Sequence, residues 1–328
     1  MEMRRPGVDA ELEGPLAQMK AMMPPLTLEA LPERRAMPAL VPLEVLLEGR
    51  AIEHEELVVP GQDGAPDVAM SVYRPMSLSA STGSLAPCVY WIHGGGMVVG
   101  DRFTMIDMPL EWVALLGVTV VSVEYRLAPE HQGTALVDDC YAGLTWVAKH
   151  ADDLRIDPGR IVVGGGSAGG GLAAGVTLMA RDRKDPEIFG QLLICPMLDH
   201  RNITVSSQQY DGPYGSWTRT MNEFGWSCLL GDTPADEVPG YVSPALARDL
   251  SGLPTTYIDA GSAEVFRDED VAYATAIWAA GGQAELHIWA GGFHGFDVLA
   301  PAARVSAAAR AARNDWLARL LTPPGAAG

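Results

Sequence analysis

This chain of 328 residues has no closely spaced cysteine pair: Cys88, Cys140, Cys195 and Cys228 lie far apart, and none forms a CxxC. Their mostly apolar neighbourhoods suit reduced, buried thiols and argue against a disulfide framework or a metal cluster. Basic charge is also scarce, with 23 lysines and arginines against 41 acids and a formal net charge of −18. Such a surface repels nucleic-acid phosphates and anionic membranes overall, leaving a neutral or locally steered small molecule as the expected partner. Residues 1–6 contain no apolar leader stretch, and no run reaches the roughly 18 apolar residues that a spanning helix needs. A cytoplasmic protein without stable membrane insertion is expected, with a homodimer as the only protein assembly entertained, and no cofactor or metal is called for.

Apolar residues make up 48% of the chain, ample for one large domain. Apolar runs at 52–59, 68–73, 88–92, 118–123, 160–163, 191–195, 255–259 and 285–289 read as strands. Between several of them, helical periodicity over 135–149, 172–181, 271–280 and 302–321 predicts an α/β fold, a mostly parallel central sheet with helices on both faces. A polar loop is expected over 77–84. Residues 1–50, with Leu16, Met19, Met22 and Met23 at near-helical spacing, read as helical pieces outside a catalytic domain over 51–328. The interval from about 200 to 240 interrupts the alternation with Tyr210, Tyr214, Trp217, Phe224 and Trp226, and only 216–230 looks helical there. These two segments are expected to form a cap over the C-terminal strand edge, where open α/β sheets bind ligands.

The chain turns on Gly164-Gly165-Gly166-Ser167-Ala168-Gly169-Gly170, placed between the strand over 160–163 and an apolar helix. Gly165-x-Ser167-x-Gly169 is a nucleophile-elbow pattern: a sharp strand-to-helix turn lifts the serine hydroxyl above the sheet, and small neighbours let the two elements approach. The same letters fit a plain tight turn, and Gly164-x-Gly166-x-x-Gly169 fits a dinucleotide fingerprint. Context weighs against the dinucleotide, because several strands precede this one and that fingerprint normally opens the first βαβ unit. His93-Gly94-Gly95-Gly96 follows an apolar strand and exposes bare backbone. His294, flanked by glycines after the last strand, is placed to reach over the sheet edge as a base.

His93-Gly94-Gly95-Gly96, the run from Tyr125 to His131 (Tyr-Arg-Leu-Ala-Pro-Glu-His), the glycine-rich elbow and His294-Gly295-Phe296 together resemble the signature set of the hormone-sensitive-lipase-like family of bacterial carboxylesterases. The resemblance covers roughly residue 54 to the C-terminus. It implies an α/β-hydrolase fold with a helical cap, and hydrolysis of short- to medium-chain carboxylic esters through an acyl-enzyme intermediate. Carried onto this chain, it makes Ser167 the nucleophile, His294 the base and Glu264 the acid, with Gly95, Gly96 and Ala168 donating to the oxyanion. Two positions depart from the pattern. Gly166 stands where the family usually has Asp or Thr, so either the turn is looser or another group braces it. Glu264 stands where the acid is usually Asp, and Asp259 and Asp268 are its rivals, the first expected at a strand end and the second at a helix start. A thioesterase, an amidase or a deacetylase would use the same acyl chemistry, and a ligand-binding receptor on the same fold remains a further alternative.

Overall fold

Eight apolar runs become the strands of a single sheet in the computed structural model, which describes residues 3–80 and 83–322. They are β1 (Ile52–Val59), β2 (Val68–Pro75), β3 (Ala86–Ile92), β4 (Thr119–Val123), β5 (Ile156–Gly166), β6 (Gly190–Ile194), β7 (Thr255–Gly261) and β8 (Ala284–Trp289). Their spatial order is β1-β2-β4-β3-β5-β6-β7-β8, with β1 and β2 antiparallel at one edge and the other six parallel. Strands β4 and β6 are buried along their whole length, which is why they read as unbroken apolar runs. Helices Ala135–Lys149, Ala168–Arg183 and Arg267–Ala279 pack one face, and Asp107–Leu116 and Arg304–Leu321 the other. On that second face the buried rings of Trp91 and Trp112 meet edge to face at 5.7 Å. Each fully buried large apolar side chain contributes roughly 1.5–3 kcal/mol, so the core on both faces holds the strand ends rigid. Among the described residues no helix is long and apolar enough to cross a membrane.

Register decides where function can sit. Ile92 pairs with Gly165, Gly166 with Ile194, Ile194 with Asp259, and Gly261 with Trp289. The parallel strands therefore end in step, and the loops after β3, β5, β7 and β8 emerge side by side.

Two sequence expectations are corrected. The loop expected over 77–84 begins as a helical turn, Met76–Ala80, while residues 81–82 lie outside the described residues. Buried Leu78 anchors the turn and Arg155 Nη1 donates to its carbonyl at 2.7 Å, tertiary contacts that override the local serine content. In the aromatic interval the helix spans Arg219–Leu230, and a second helix, Val205–Gln209, is also present. Thr204 caps it by accepting from Ser207 N at 3.1 Å.

Three acids near β7 carry a burden of burial. Asp259 is neutralised by Arg313, whose Nε donates to it at 2.8 Å, and Asp297 pairs with the same guanidinium. Asp270 has no such partner: neither oxygen meets a donor among the described residues, and burial, then Glu269, Glu264, Asp259 and Asp268, push its pKa well up. A carboxyl whose folded pKa is raised favours folding below its unfolded pKa and withdraws that support as pH climbs toward the folded value. Asp270→Asn, which keeps the shape of the protonated acid, is therefore expected to raise the melting temperature at pH 8 by a few degrees and to leave it unchanged near pH 4. Thermal melts at the two pH values check this, and equal shifts at both would refute it.

Candidate active site

Ser167 occupies the corner between β5 and the helix Ala168–Arg183, with φ 59° and ψ −122°. A non-glycine residue holds such angles only when its surroundings over-determine them. Ser167 N donates to Ile194 O at 2.8 Å, and Ser167 O accepts from Met197 N at 3.0 Å and Gly171 N at 3.1 Å. The flanking glycines are required by packing. A Cβ on Gly165 would lie 2.3 Å from Gly169 O, and one on Gly169 would lie 2.1 Å from Ile92 O. Both obstacles are backbone and cannot move aside. At Gly166 the nearest obstacle is different: a Cβ would meet the terminal methyl of Met105 at 2.8 Å. The space that a larger residue would fill is taken by Met105, which packs over the elbow.

His294 follows β8, and its Nε2 lies 2.8 Å from Ser167 Oγ. Its Nδ1 lies 2.6 Å from Glu264 Oε2, while Glu264 Oε1 accepts from Gly261 N at 2.6 Å. The ring is steadied edge-on by Phe266 at 5.1 Å, and Ser216 Oγ donates to the His294 carbonyl at 2.5 Å. Glu264 is buried and reaches the imidazole from the loop after β7. The longer side chain is accommodated because its second oxygen is pinned by the strand-end amide of Gly261.

The rival acids are elsewhere. Asp259 is held by Arg313 and accepts from Trp289 Nε1 at 3.0 Å; Asp268 accepts from Ser206 N at 2.7 Å and pairs with Arg267. Behind the serine, buried Glu269 accepts from Leu198 N at 2.7 Å and Asp199 N at 3.1 Å. It thereby fixes the loop whose Met197 amide holds Ser167 O, a contribution with no local signature in the sequence.

Gly95 and Gly96 line the same cavity as Ser167, and Ala168 follows the serine directly as the first residue of the helix. Among the described residues no backbone carbonyl accepts from any of the three. Gly95 has φ +119°, and a Cβ there would strike Val99 O at 1.9 Å, so only glycine fits the loop. The loop rests on the run that begins at Tyr125. Tyr125 OH donates to His93 O at 2.9 Å, Ala128 N donates to Met97 O at 2.9 Å, and the His93 ring stacks on Tyr125 at 4.2 Å. Burial pushes the His93 pKa down, and its Nδ1 lies 2.7 Å from Gly94 O, so it shapes the loop as a neutral ring.

A cavity of about 590 Å³ opens over Ser167 and His294. Its walls come from the loop after β3, from the N-terminal segment through Met19, Met23 and Leu26, and from the aromatic interval through Trp217 and Met221. Trp217 lies against Gly96, where a Cβ would sit 2.2 Å from its ring, a placement that only long-range packing sets. Cys195, Glu264 and His294 place potential ligand atoms within 4.8 Å of one another, but two of the three already belong to the serine's hydrogen-bond chain. All four cysteines are buried and unpaired.

Residues 89–298 match a family described by the alpha/beta hydrolase fold. Carboxylesterase NlhH of Mycobacterium tuberculosis is 32% identical over 278 residues, 83% of each chain. Carboxylic ester hydrolase LipN of the same organism is 34% identical over 253 residues, 75% of this chain and 64% of that relative's length. Among solved structures, Bacterial Heroin Esterase superposes with a TM-score of 0.86 at 36% identity, covering 96% of this chain and 98% of that one.

Proposed function

Because the chain belongs to the hormone-sensitive-lipase-like family of α/β hydrolases, we propose that it is a serine carboxylesterase acting on short- to medium-chain esters through an acyl-enzyme. The observation that carries this reading is the unbroken hydrogen-bond chain from Ser167 Oγ through His294 to Glu264. It opens into a cavity lined by Gly95 and Gly96, with Ala168 directly after the serine at the helix start.

In this reading Ser167 Oγ attacks the ester carbonyl while His294 Nε2 takes the hydroxyl proton. Glu264 accepts from Nδ1–H throughout, which fixes the tautomer and stabilises the imidazolium. The carbonyl oxygen becomes an oxyanion facing the three amides, each worth about 3 kcal/mol of transition-state stabilisation by comparison with other oxyanion holes. Collapse breaks the ester C–O bond, and the leaving alkoxide takes the proton from His294. Water, deprotonated by the same imidazole, then attacks the acyl carbon and frees the acid and Ser167. The segments over 1–50 and about 200–240 serve as the cap that sets acyl length, since Met19, Met23, Trp217 and Met221 all wall the cavity.

A panel of 4-nitrophenyl esters from acetate to dodecanoate, with matched thioesters and anilides, tests the assignment. Turnover should be greatest for the short and medium oxygen esters. A fluorophosphonate should stop it and be recovered on Ser167 by mass spectrometry. Preference for the thioester or the anilide would move the protein to one of those neighbouring activities, and label on another serine would overturn the site.

A further inference from the structure

In a chain with 41 acidic and 23 basic residues, the wall of the catalytic cavity is reversed in charge. Among the described residues, no aspartate or glutamate lines it, whereas Lys20 and Arg34 do. Glu264, the acid behind the His294 ring, is committed to that ring. Neither cation is neutralised there: among the described residues Lys20 Nζ donates to the Pro213 carbonyl and Arg34 Nη1 to Pro24 O at 2.8 Å, and neither has a carboxylate partner. Both are half-buried, and burial lowers the pKa of each, with the charge of Arg5 adding to the effect at Lys20. A second cavity shares Lys20 and Pro213 with the first, and its described lining also includes Arg4, Arg5 and Glu13. Basic side chains therefore line both cavities.

Desolvated positive charge without a counter-charge costs free energy, and a bound anion returns it. An overall charge of −18 repels anions at long range, so a local cationic wall is what admits one.

We infer that the ester taken by this site carries an anionic group, a carboxylate in the simplest case, which Lys20 and Arg34 receive while Ser167 attacks the ester carbonyl. This rests on the carboxylesterase reading above.

The test compares esters matched in size and differing in charge. On the acyl side, 4-nitrophenyl hexanoate is set against the 4-nitrophenyl monoester of adipic acid. On the alcohol side, phenyl butyrate is set against 4-carboxyphenyl butyrate. The readout is the ratio of kcat/KM for the charged ester to that for its neutral partner, in wild type and in the Lys20→Gln/Arg34→Gln double variant. The ratio should fall about tenfold in the variant for one pair, a size appropriate to partly exposed charge contacts, and the pair that responds tells which side of the ester carries the anion. A second measurement uses wild type alone: an ester of the responding series ending in trimethylammonium should be its poorest substrate. Ratios that are the same in variant and wild type for both pairs, or a wild type that prefers the cationic ester, would overturn the inference while leaving the esterase intact. Failure to turn over any neutral ester would instead overturn the carboxylesterase reading.

Discussion

Ser167→Ala is expected to lower kcat on a 4-nitrophenyl ester by about 10⁶-fold, the scale seen when a triad nucleophile is removed elsewhere. The protein should remain folded. Among the described residues the one hydrogen-bond partner of Ser167 Oγ is His294 Nε2, whereas the positive φ of the residue is enforced through its backbone by Ile194, Met197 and Gly171. Alanine presents the same Cβ and feels the same strain, so the melting temperature should hold while activity vanishes. Ser167→Gly separates the two roles. It should be as inactive as alanine yet melt higher, because glycine tolerates φ 59° without cost. Kinetics, fluorophosphonate labelling and thermal melts on both variants check this. Substantial residual kcat in Ser167→Ala would mean that the bond-forming group lies elsewhere.

Glu264→Gln is expected to cost about 10⁴-fold in kcat, the effect known for the equivalent acid-to-amide change in a serine protease. Glu264 faces two donors, Gly261 N–H and His294 Nδ1–H, and its two oxygens accept one each. Glutamine has a single acceptor. If its oxygen stays on Gly261, its NH₂ confronts Nδ1, and the ring answers by moving its proton to Nε2, where it can no longer accept from Ser167. If the oxygen turns to Nδ1, the NH₂ opposes a buried amide at the strand end and the loop after β7 must shift. Either way catalysis suffers while bulk and packing are kept. Asp268→Asn should change kcat little, since that side chain caps the helix Val205–Gln209 through Ser206 N. Asp259→Asn should act on stability, since it uncouples a buried pairing with Arg313. Kinetics of the three variants, each checked by circular dichroism, decide among the acids. A dead Asp268→Asn beside an active Glu264→Gln would overturn the assignment.

What could be read from the chain alone follows from how the site is built. Ser167, Glu264 and His294 each sit within a few residues of a strand end, so apolar strand patterns locate them, and the glycines around them report close backbone approach. The sheet was legible for the same reason: β4 and β6 are buried on both faces and leave unbroken apolar runs. Boundaries through glycine were not. Strand β5 continues through Gly164, Gly165 and Gly166, and the helix begins at Ala168, well before its apolar periodicity at Leu172. What escaped entirely depends on contacts between distant segments. Trp217 against Gly96, Glu269 beneath the loop at Leu198, and Lys20 and Arg34 in the cavity wall are each positioned by a different stretch of chain. No window of neighbouring residues contains that information.

The methyl of Met105 over Gly166 couples the evolution of the elbow to the choice of substrate. Gly165 and Gly169 are walled by carbonyl oxygens, so neither can drift. Gly166 is walled by the end of one flexible side chain, which also faces the cavity. A lineage acquiring alanine or aspartate there need not lose its fold, because the thioether can rotate away. It must rotate somewhere, and the open direction is the cavity. Each gain of a side chain at 166 would therefore be paid in room for the substrate, unless position 105 shrank in the same lineage. The two positions, 61 residues apart by their numbering, should vary as a pair and trade elbow rigidity against the length of acyl chain admitted.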